Sequence, residues 1–157
     1  MTIVLEVRNA HTGDATALHL LLARAFAEYE GRLDPPSGAN AETPASIARK
    51  LVEGGAFICS EGDALVGCVF YAPKTDHLYV GRLSVTPGHR KRGIGDLLLR
   101  MAEQHARTLG LPSVRIGVRL VLETLRAYYA ARGYASIGLR CHEGYTRPTF
   151  VEMEKRL

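Results

Sequence analysis

Cysteine is sparse in this chain. Cys59, Cys68 and Cys141 are odd in number and far apart, so they frame neither a disulfide scaffold nor a zinc knuckle. Long hydrophobic runs are absent as well. No apolar stretch approaches a membrane span, and the opening MTIVLEVRNAHTGD lacks the charged-then-apolar layout of a secretion signal. The expectation is a reducing, cytoplasmic setting, with no membrane and no bound metal. No repeat and no long linker divides the 157 residues, a length that suits a single domain, 1–157, with a real core. Positive charge is in excess, +4 net with a pI near 9.1, which favours acidic partners. Yet no aromatic residues interleave the HRKR run and the other basic residues are scattered. Nucleic acid is therefore not the expected partner. A small polyanion explains one concentrated patch better than a long one does.

That patch lies in GRLSVTPGHRKRGIGDLLL, residues 81–99. Leu83, Ser84 and Val85 close a strand, and Pro87-Gly88 breaks it. His89, Arg90, Lys91 and Arg92 then precede Gly93-Ile94-Gly95, where a helix begins. A helix start points unpaired N–H groups one way and carries partial positive charge. Glycines without Cβ let an anion approach that backbone, and three neighbouring cations add attraction. The local chemistry is that of a phosphate cradle. Gly88 and Gly93 have the separation of a Walker A loop, but Ile94-Gly95 stands where a lysine and a hydroxyl are required. A dinucleotide fingerprint requires a glycine three residues past Gly95, and Leu98 occupies that place. The competing reading is a basic surface turn that caps a helix and binds nothing.

Around this stretch the pattern predicts β-α-α-β-β-β-α-β-α-β-β. A strand over 3–8 alternates apolar and polar residues, and Asp14 stands as N-cap of a helix over 15–29 striped by Leu18, Leu21, Leu22, Ala25, Phe26 and Tyr29. A Pro/Gly-rich loop (31–42) leads to Thr43-Pro44, an N-cap and N1 pair opening a helix that carries Ile47, Leu51 and Val52. Strands at 56–60 and 64–72 flank Glu61-Gly62-Asp63 as a hairpin, and another runs over 77–85. The helix after Gly95 has the stripe Leu98, Met101, Ala102, His105 and Leu109 and stops at Gly110. A strand at 113–118, a helix at 122–132 and strands at 134–140 and 149–155 complete the chain. These elements imply an α/β (α+β) fold: one mixed, mostly antiparallel sheet with a central parallel strand pair and helices on both faces. In the 77–85 strand, Leu78 and Val80 share one parity while Leu83 and Val85 share the other. Either a bulge, least costly at Gly81, shifts the register, or the strand is buried on both faces.

Arg90-x-x-Gly93-x-Gly95 directly after Leu83-x-Val85-x-Pro87 resembles the acetyl-CoA-binding motif of the GNAT superfamily of N-acetyltransferases. One helix and one strand later, Ala127-Tyr128-Tyr129-x-x-x-Gly133-Tyr134 matches the aromatic pattern that ends the GNAT core. The resemblance covers residues 78–134 through motifs and the N-terminal half through element order. It implies acetyl transfer from acetyl-CoA, as cosubstrate, to a primary amine of a small molecule or peptide by direct attack in a ternary complex. It implies that the amides of Lys91, Arg92, Gly93, Ile94, Gly95 and Asp96, with the Arg90 side of the turn, hold the diphosphate. Leu83, Ser84 and Val85 would pair with the pantetheine amides as another strand, in a gap that GNAT proteins open beside this strand. Arg132 would reach the adenosine 3′-phosphate or act as a helix C-terminal cation.

Tyr129 would donate a proton to the leaving thiolate, or pack as a core aromatic. Two departures from the family pattern stand out. Leu122 and Leu125 occupy the positions of an asparagine that many relatives place early in this helix, and Gly81-Arg82-Leu83 offers no strand glutamate as general base. Proton removal then falls to water helped by Tyr79, His142 or Glu143, each of which also reads as a packing or surface residue. Tyr29, at the end of its helix, and Tyr145, in the loop Cys141–Pro148 with His142 and Glu143, are candidate acceptor contacts; that loop fits a homodimer contact equally well. A non-catalytic acyl-CoA-binding module and a basic nucleic-acid-binding domain are the rival functions.

Overall fold

The computed structural model describes residues 4–157; Ile3 of the expected first strand lies outside them. In order come β1 (Leu5–Asn9), α1 (Ala15–Phe26), α2 (Pro44–Glu53), β2 (Gly55–Glu61), β3 (Ala64–Pro73), β4 (Leu78–Val85), α3 (Ile94–Thr108), β5 (Ser113–Arg119), α4 (Glu123–Ala130), β6 (Ala135–Arg140) and β7 (Phe150–Arg156). The element order is the one the sequence predicts. The seven strands form one sheet in the order β1-β2-β3-β4-β5-β7-β6. Only β4 and β5 run parallel; the other neighbours are antiparallel. One core packs α3 and α4 on one face, and a second packs α1 and α2 over β2 and β3 on the other. Fully buried Leu18, Leu22, Leu78 and Leu98 anchor these cores, each worth about 2 kcal/mol of burial. Among the described residues no helix is long and apolar enough to cross a membrane.

Local chemistry explains most element ends. Thr43 and Ser46 exchange hydrogen bonds at the start of α2, where Pro44 takes the first helical position. Asp14 precedes α1 as expected but does not cap it. Its carboxylate accepts the His11 N–H at 2.9 Å and the Arg8 guanidinium at 2.8 and 2.9 Å, which ties β1 to α1. The helix expected to reach residue 29 ends at Phe26 and tightens into a 3₁₀ turn, Ala27–Tyr29.

Two apolar residues assigned to buried stripes are exposed. Val52 is 76% exposed, because it lies five positions from buried Ile47 and thus well round the helix from it. Leu109 is 46% exposed. The chain has left the helix there: Gly110 takes φ 73° and the Leu111 N–H bonds to the Ala106 carbonyl at 2.9 Å, so Leu111 packs on the core instead.

The parity conflict in β4 resolves as a bulge. Phe70 pairs with Gly81 and Cys68 with Ser84, leaving Arg82 and Leu83 opposite Val69 alone. Leu78, Val80, Leu83 and Val85 all reach the α3 core as a result. The left-handed residue is Arg82, with φ 54°, rather than Gly81. Its carbonyl accepts the Ser84 hydroxyl at 2.8 Å and its guanidinium lies 3.5 Å from Glu42, contacts that offset the conformational cost. Pairing of β4 with β5 covers only Leu78, Tyr79 and Val80. Beyond the bulge the two strands part.

Candidate functional site

After Val85 a 3₁₀ turn, Pro87–His89, delivers the chain to residues 90–93 and α3. Lys91 at φ 64° and Gly93 at φ 81° both take left-handed conformations, so the turn folds back on itself before the helix. Among the described residues, the amides of Lys91, Arg92, Gly93, Ile94, Gly95 and Asp96 have no hydrogen-bond acceptor; the first bonded amide of the helix is that of Leu97, to the Gly93 carbonyl at 3.0 Å. The last four are the orphan donors of a fifteen-residue helix capped by Gly93, and the first two belong to the turn before it. A Cβ on Gly93 would meet nothing within 4 Å, so the approach to them is open. The β5-facing edge of Leu83, Ser84 and Val85 has no strand partner.

The cations of this turn are less free than the sequence implies. Arg90 donates to the Val85 carbonyl at 3.1 Å, the Ala25 carbonyl at 3.2 Å and Glu28 at 3.0 Å, pinning the turn to the end of α1. Arg92 pairs with Glu61 at 3.2 Å, and His89 lies 3.5 Å from the same carboxylate. Lys91 is exposed and makes no ion pair among the described residues. Asp96, in the first turn of α3, accepts Tyr128 at 2.5 Å and the Arg132 fork at 2.7 and 3.1 Å. Arg132 also lies 3.5 Å over the Tyr128 ring. That network joins α3 to α4 and holds the Asp96 carboxyl below its ordinary range, chiefly through Arg132.

Tyr129 sits beside this network on α4, 6% exposed, edge-to-face with Tyr128 and Tyr134. Its hydroxyl makes no hydrogen bond among the described residues, and burial pushes its pKa above the ordinary phenol range. The phenol is therefore protonated at neutral pH and its donor is uncommitted. Tyr134 is pushed up likewise by burial and then by Glu103, a buried carboxylate that accepts the Tyr134 hydroxyl at 2.8 Å and Lys155 at 3.1 Å. Glu103 falls on the inner face of α3, and its burial is invisible to a search for apolar periodicity.

The acceptor candidates do not all converge. Tyr79 lies on the sheet face away from α3, its hydroxyl 3.4 Å from where a Cβ on Gly117 would stand. Tyr29 is half-buried against Phe26. His142 packs edge-on to Phe150, with its ring nitrogen on the Thr149 hydroxyl; burial and then Arg119 lower its pKa. Tyr145 donates to Asp34, so the β6–β7 loop docks on the loop between α1 and α2. Glu143 is exposed and makes no hydrogen bond or ion pair among the described residues. Leu122 and Leu125 are partly buried, and Leu125 packs on the α3 core. No cluster of three or more metal-ligating side chains occurs among the described residues.

The fold is shared with solved acetyltransferases at low identity. PaiA N-acetyltransferase from Thermoplasma acidophilum, solved with coenzyme A, superposes with TM-score 0.81 at 16% identity, covering 98% of this chain and 99% of that one. The ribosomal-protein-S18-alanine N-acetyltransferase of Escherichia coli gives TM-score 0.79 at 16% identity, covering 98% and 94%. A GNAT family acetyltransferase from Elizabethkingia anophelis with acetyl-CoA bound gives TM-score 0.74 at 16% identity, covering 98% of each. In sequence, 86 residues are 31% identical to the probable N-acetyltransferase 14 of Xenopus tropicalis, spanning 54% of this chain and 42% of that relative's length. Residues 17–134 match the profile of the acetyltransferase (GNAT) family, and the chain belongs to that family.

Proposed function

We propose that this protein transfers an acetyl group from acetyl-CoA to a primary amine of a small molecule or peptide, by direct attack while both are bound. The observation that carries this reading is the row of open amides at 91–96 lying next to the unpaired edge of 83–85. The amides and the helix dipole suit a diphosphate. The free strand edge suits an extended amide-bearing arm, received as an added strand. Arg90 shapes the seat by anchoring the turn rather than by reaching into it. Arg132 holds the first turn of α3 through Asp96 and adds positive charge at the rim, toward the 3′-phosphate. Tyr129 supplies the proton to the departing thiolate, a role for the neutral phenol, the ordinary state of tyrosine near pH 7. The strand offers no carboxylate base, so the amine loses its proton to water, with Tyr79 and His142 lining the acceptor side.

Two measurements test the proposal. Acetyl-CoA should raise the melting temperature of the chain, since a ligand that binds only the folded state stabilises it. Thiol release from acetyl-CoA should depend on added amine across a panel of small amines and peptide amino termini. Stabilisation without turnover on any amine would leave a binding module; indifference of the melting curve to acetyl-CoA overturns the reading altogether.

A further inference from the structure

The sheet face opposite α3 is only partly roofed. The second core, under α1 and α2, contains residues of β2 and β3 and none of β5 or β7. Over the uncovered part stand the Tyr79 hydroxyl and the Phe150 ring, 3.4 and 3.3 Å from where a Cβ on Gly117 would be. Two guanidinium groups flank this floor. Arg82 projects from the bulge, its Nη2 only 2.7 Å from the place of a Cβ on Gly38. Arg119, at the end of β5, donates to the carbonyls of Pro35 at 2.7 Å and Pro36 at 3.1 Å. Both therefore touch the same short segment, residues 35–38.

Their charges are poorly matched. The carboxylate nearest Arg82 is Glu42 at 3.5 Å, but Glu42 pairs more closely with Lys50, at 2.8 Å, and accepts the Ser46 hydroxyl. The Arg82 Nε–H is buried with no acceptor among the described residues. Arg119 has backbone carbonyls but no carboxylate within ion-pair distance among those residues. Of the other acids facing this region, Glu152 lies 3.9 Å from Arg115 and 3.7 Å from Arg140, and the exposed Asp34 lies 3.7 Å from Arg147 and accepts the Tyr145 hydroxyl; neither is within ion-pair distance of Arg82 or Arg119. Two partly buried guanidinium groups against one short segment repel each other unless an anion joins them, and their planar forks match oxyanions. Burial chiefly lowers the Arg119 pKa; the Arg82 charge adds to this, while Tyr145 and Asp34 oppose it.

We infer that the acceptor amine carries an anionic group, a carboxylate or a phosphate ester, that sits between Arg82 and Arg119 over the Tyr79–Gly117 floor. The inference rests on the transferase reading above and names its substrate class. Arg82 is then a specificity-determining residue, not a catalytic one.

The test is thiol release from acetyl-CoA on amines matched except for the anion: glycine against glycinamide, a peptide beginning with glutamate against one beginning with glutamine, and phosphoethanolamine against ethanolamine. The anionic member of at least one pair should show kcat/KM about tenfold higher or more, mainly through KM. The pair that responds separates carboxylate from phosphate. Arg82→Met should abolish the preference and Arg82→Lys should restore part of it, with acetyl-CoA affinity unchanged in both; Arg82→Met should also lower the melting temperature, since the contact with Glu42 at the bulge is lost. In parallel, the arginine Nε–H resonances are titrated with acetate and with inorganic phosphate, and a saturable shift of the signal lost in Arg82→Met is expected. Equal kcat/KM within every pair, a preference that survives Arg82→Met, or an Arg82 signal indifferent to both anions overturns the inference. A saturable shift with no turnover of any amine supports the anion seat and counts against the transferase reading instead.

Discussion

The basic turn at residues 89–92 and the open face around Arg82 and Arg119 carry comparable positive charge and dispose of it in opposite ways. At the turn, Arg90, Arg92 and His89 lie against Glu28, Glu61 and backbone carbonyls, and what remains open to a ligand is peptide N–H and the exposed Lys91 ammonium. On the open face Arg119 reaches only backbone carbonyls and the Arg82 Nε–H has no acceptor among the described residues. The difference comes from sequence separation. Four consecutive basic residues repel one another and recruit nearby acids, whereas Arg82 and Arg119 come to the same segment, residues 35–38, only through the tertiary fold. A cluster of cations in a sequence thus marks where a helix start needs support, and an anion-reading side chain can be a single arginine elsewhere.

Four variants sharpen or break that contrast. Tyr129→Phe has the largest expected effect: loss of its uncommitted hydroxyl should lower kcat by about 100-fold or more while leaving the KM for acetyl-CoA within about twofold. Unchanged kcat would remove Tyr129 from the chemistry and leave it a packing aromatic. Next, Gly93→Ala places a Cβ on a residue at φ 81°. The strain costs about 1–2 kcal/mol, and because nothing stands within 4 Å of that Cβ, any further drop in acetyl-CoA affinity, read by calorimetry, reports the backbone seat itself.

Asp14→Asn probes a charge pair with one buried member. The Arg8 guanidinium beside it holds the Asp14 carboxyl down to about 2 from 3.8, so its stabilisation is complete above about pH 4 and fades as pH falls toward 2. Arg8 is half exposed, which screens the pair. The expected loss in the variant is therefore about 1 kcal/mol at neutral pH, less than the full shift implies, and it should vanish in acid denaturation curves near pH 2. The smallest effect belongs to Arg92→Ala. Its pair with Glu61 is solvent-exposed, so stability should change by less than about 0.5 kcal/mol. If the amides hold the diphosphate, acetyl-CoA affinity should fall by less than about threefold; a tenfold loss would show that the side chains are the seat and erase the contrast between the two regions.

The sequence by itself determined the order and kind of the elements, because apolar spacing, Thr43-Pro44, Gly62, Gly93 and Gly110 act over a few residues and their physics is local. It also located the open amides of the helix start at Gly93–Gly95, since the first turn of any helix leaves its donors without partners in the helix; the extension to Lys91 came from the resemblance. Tertiary structure decided what depends on residues far apart. The bulge falls on Arg82 rather than Gly81 because Ser84 and the distant Glu42 hold it there. Glu103 is buried because Tyr134 and Lys155 come to it. Arg90 is tied to the end of α1 because Glu28 and the Ala25 carbonyl lie within its reach. No window of the chain contains those partners, and a side chain's charge is free or spent only by reference to them.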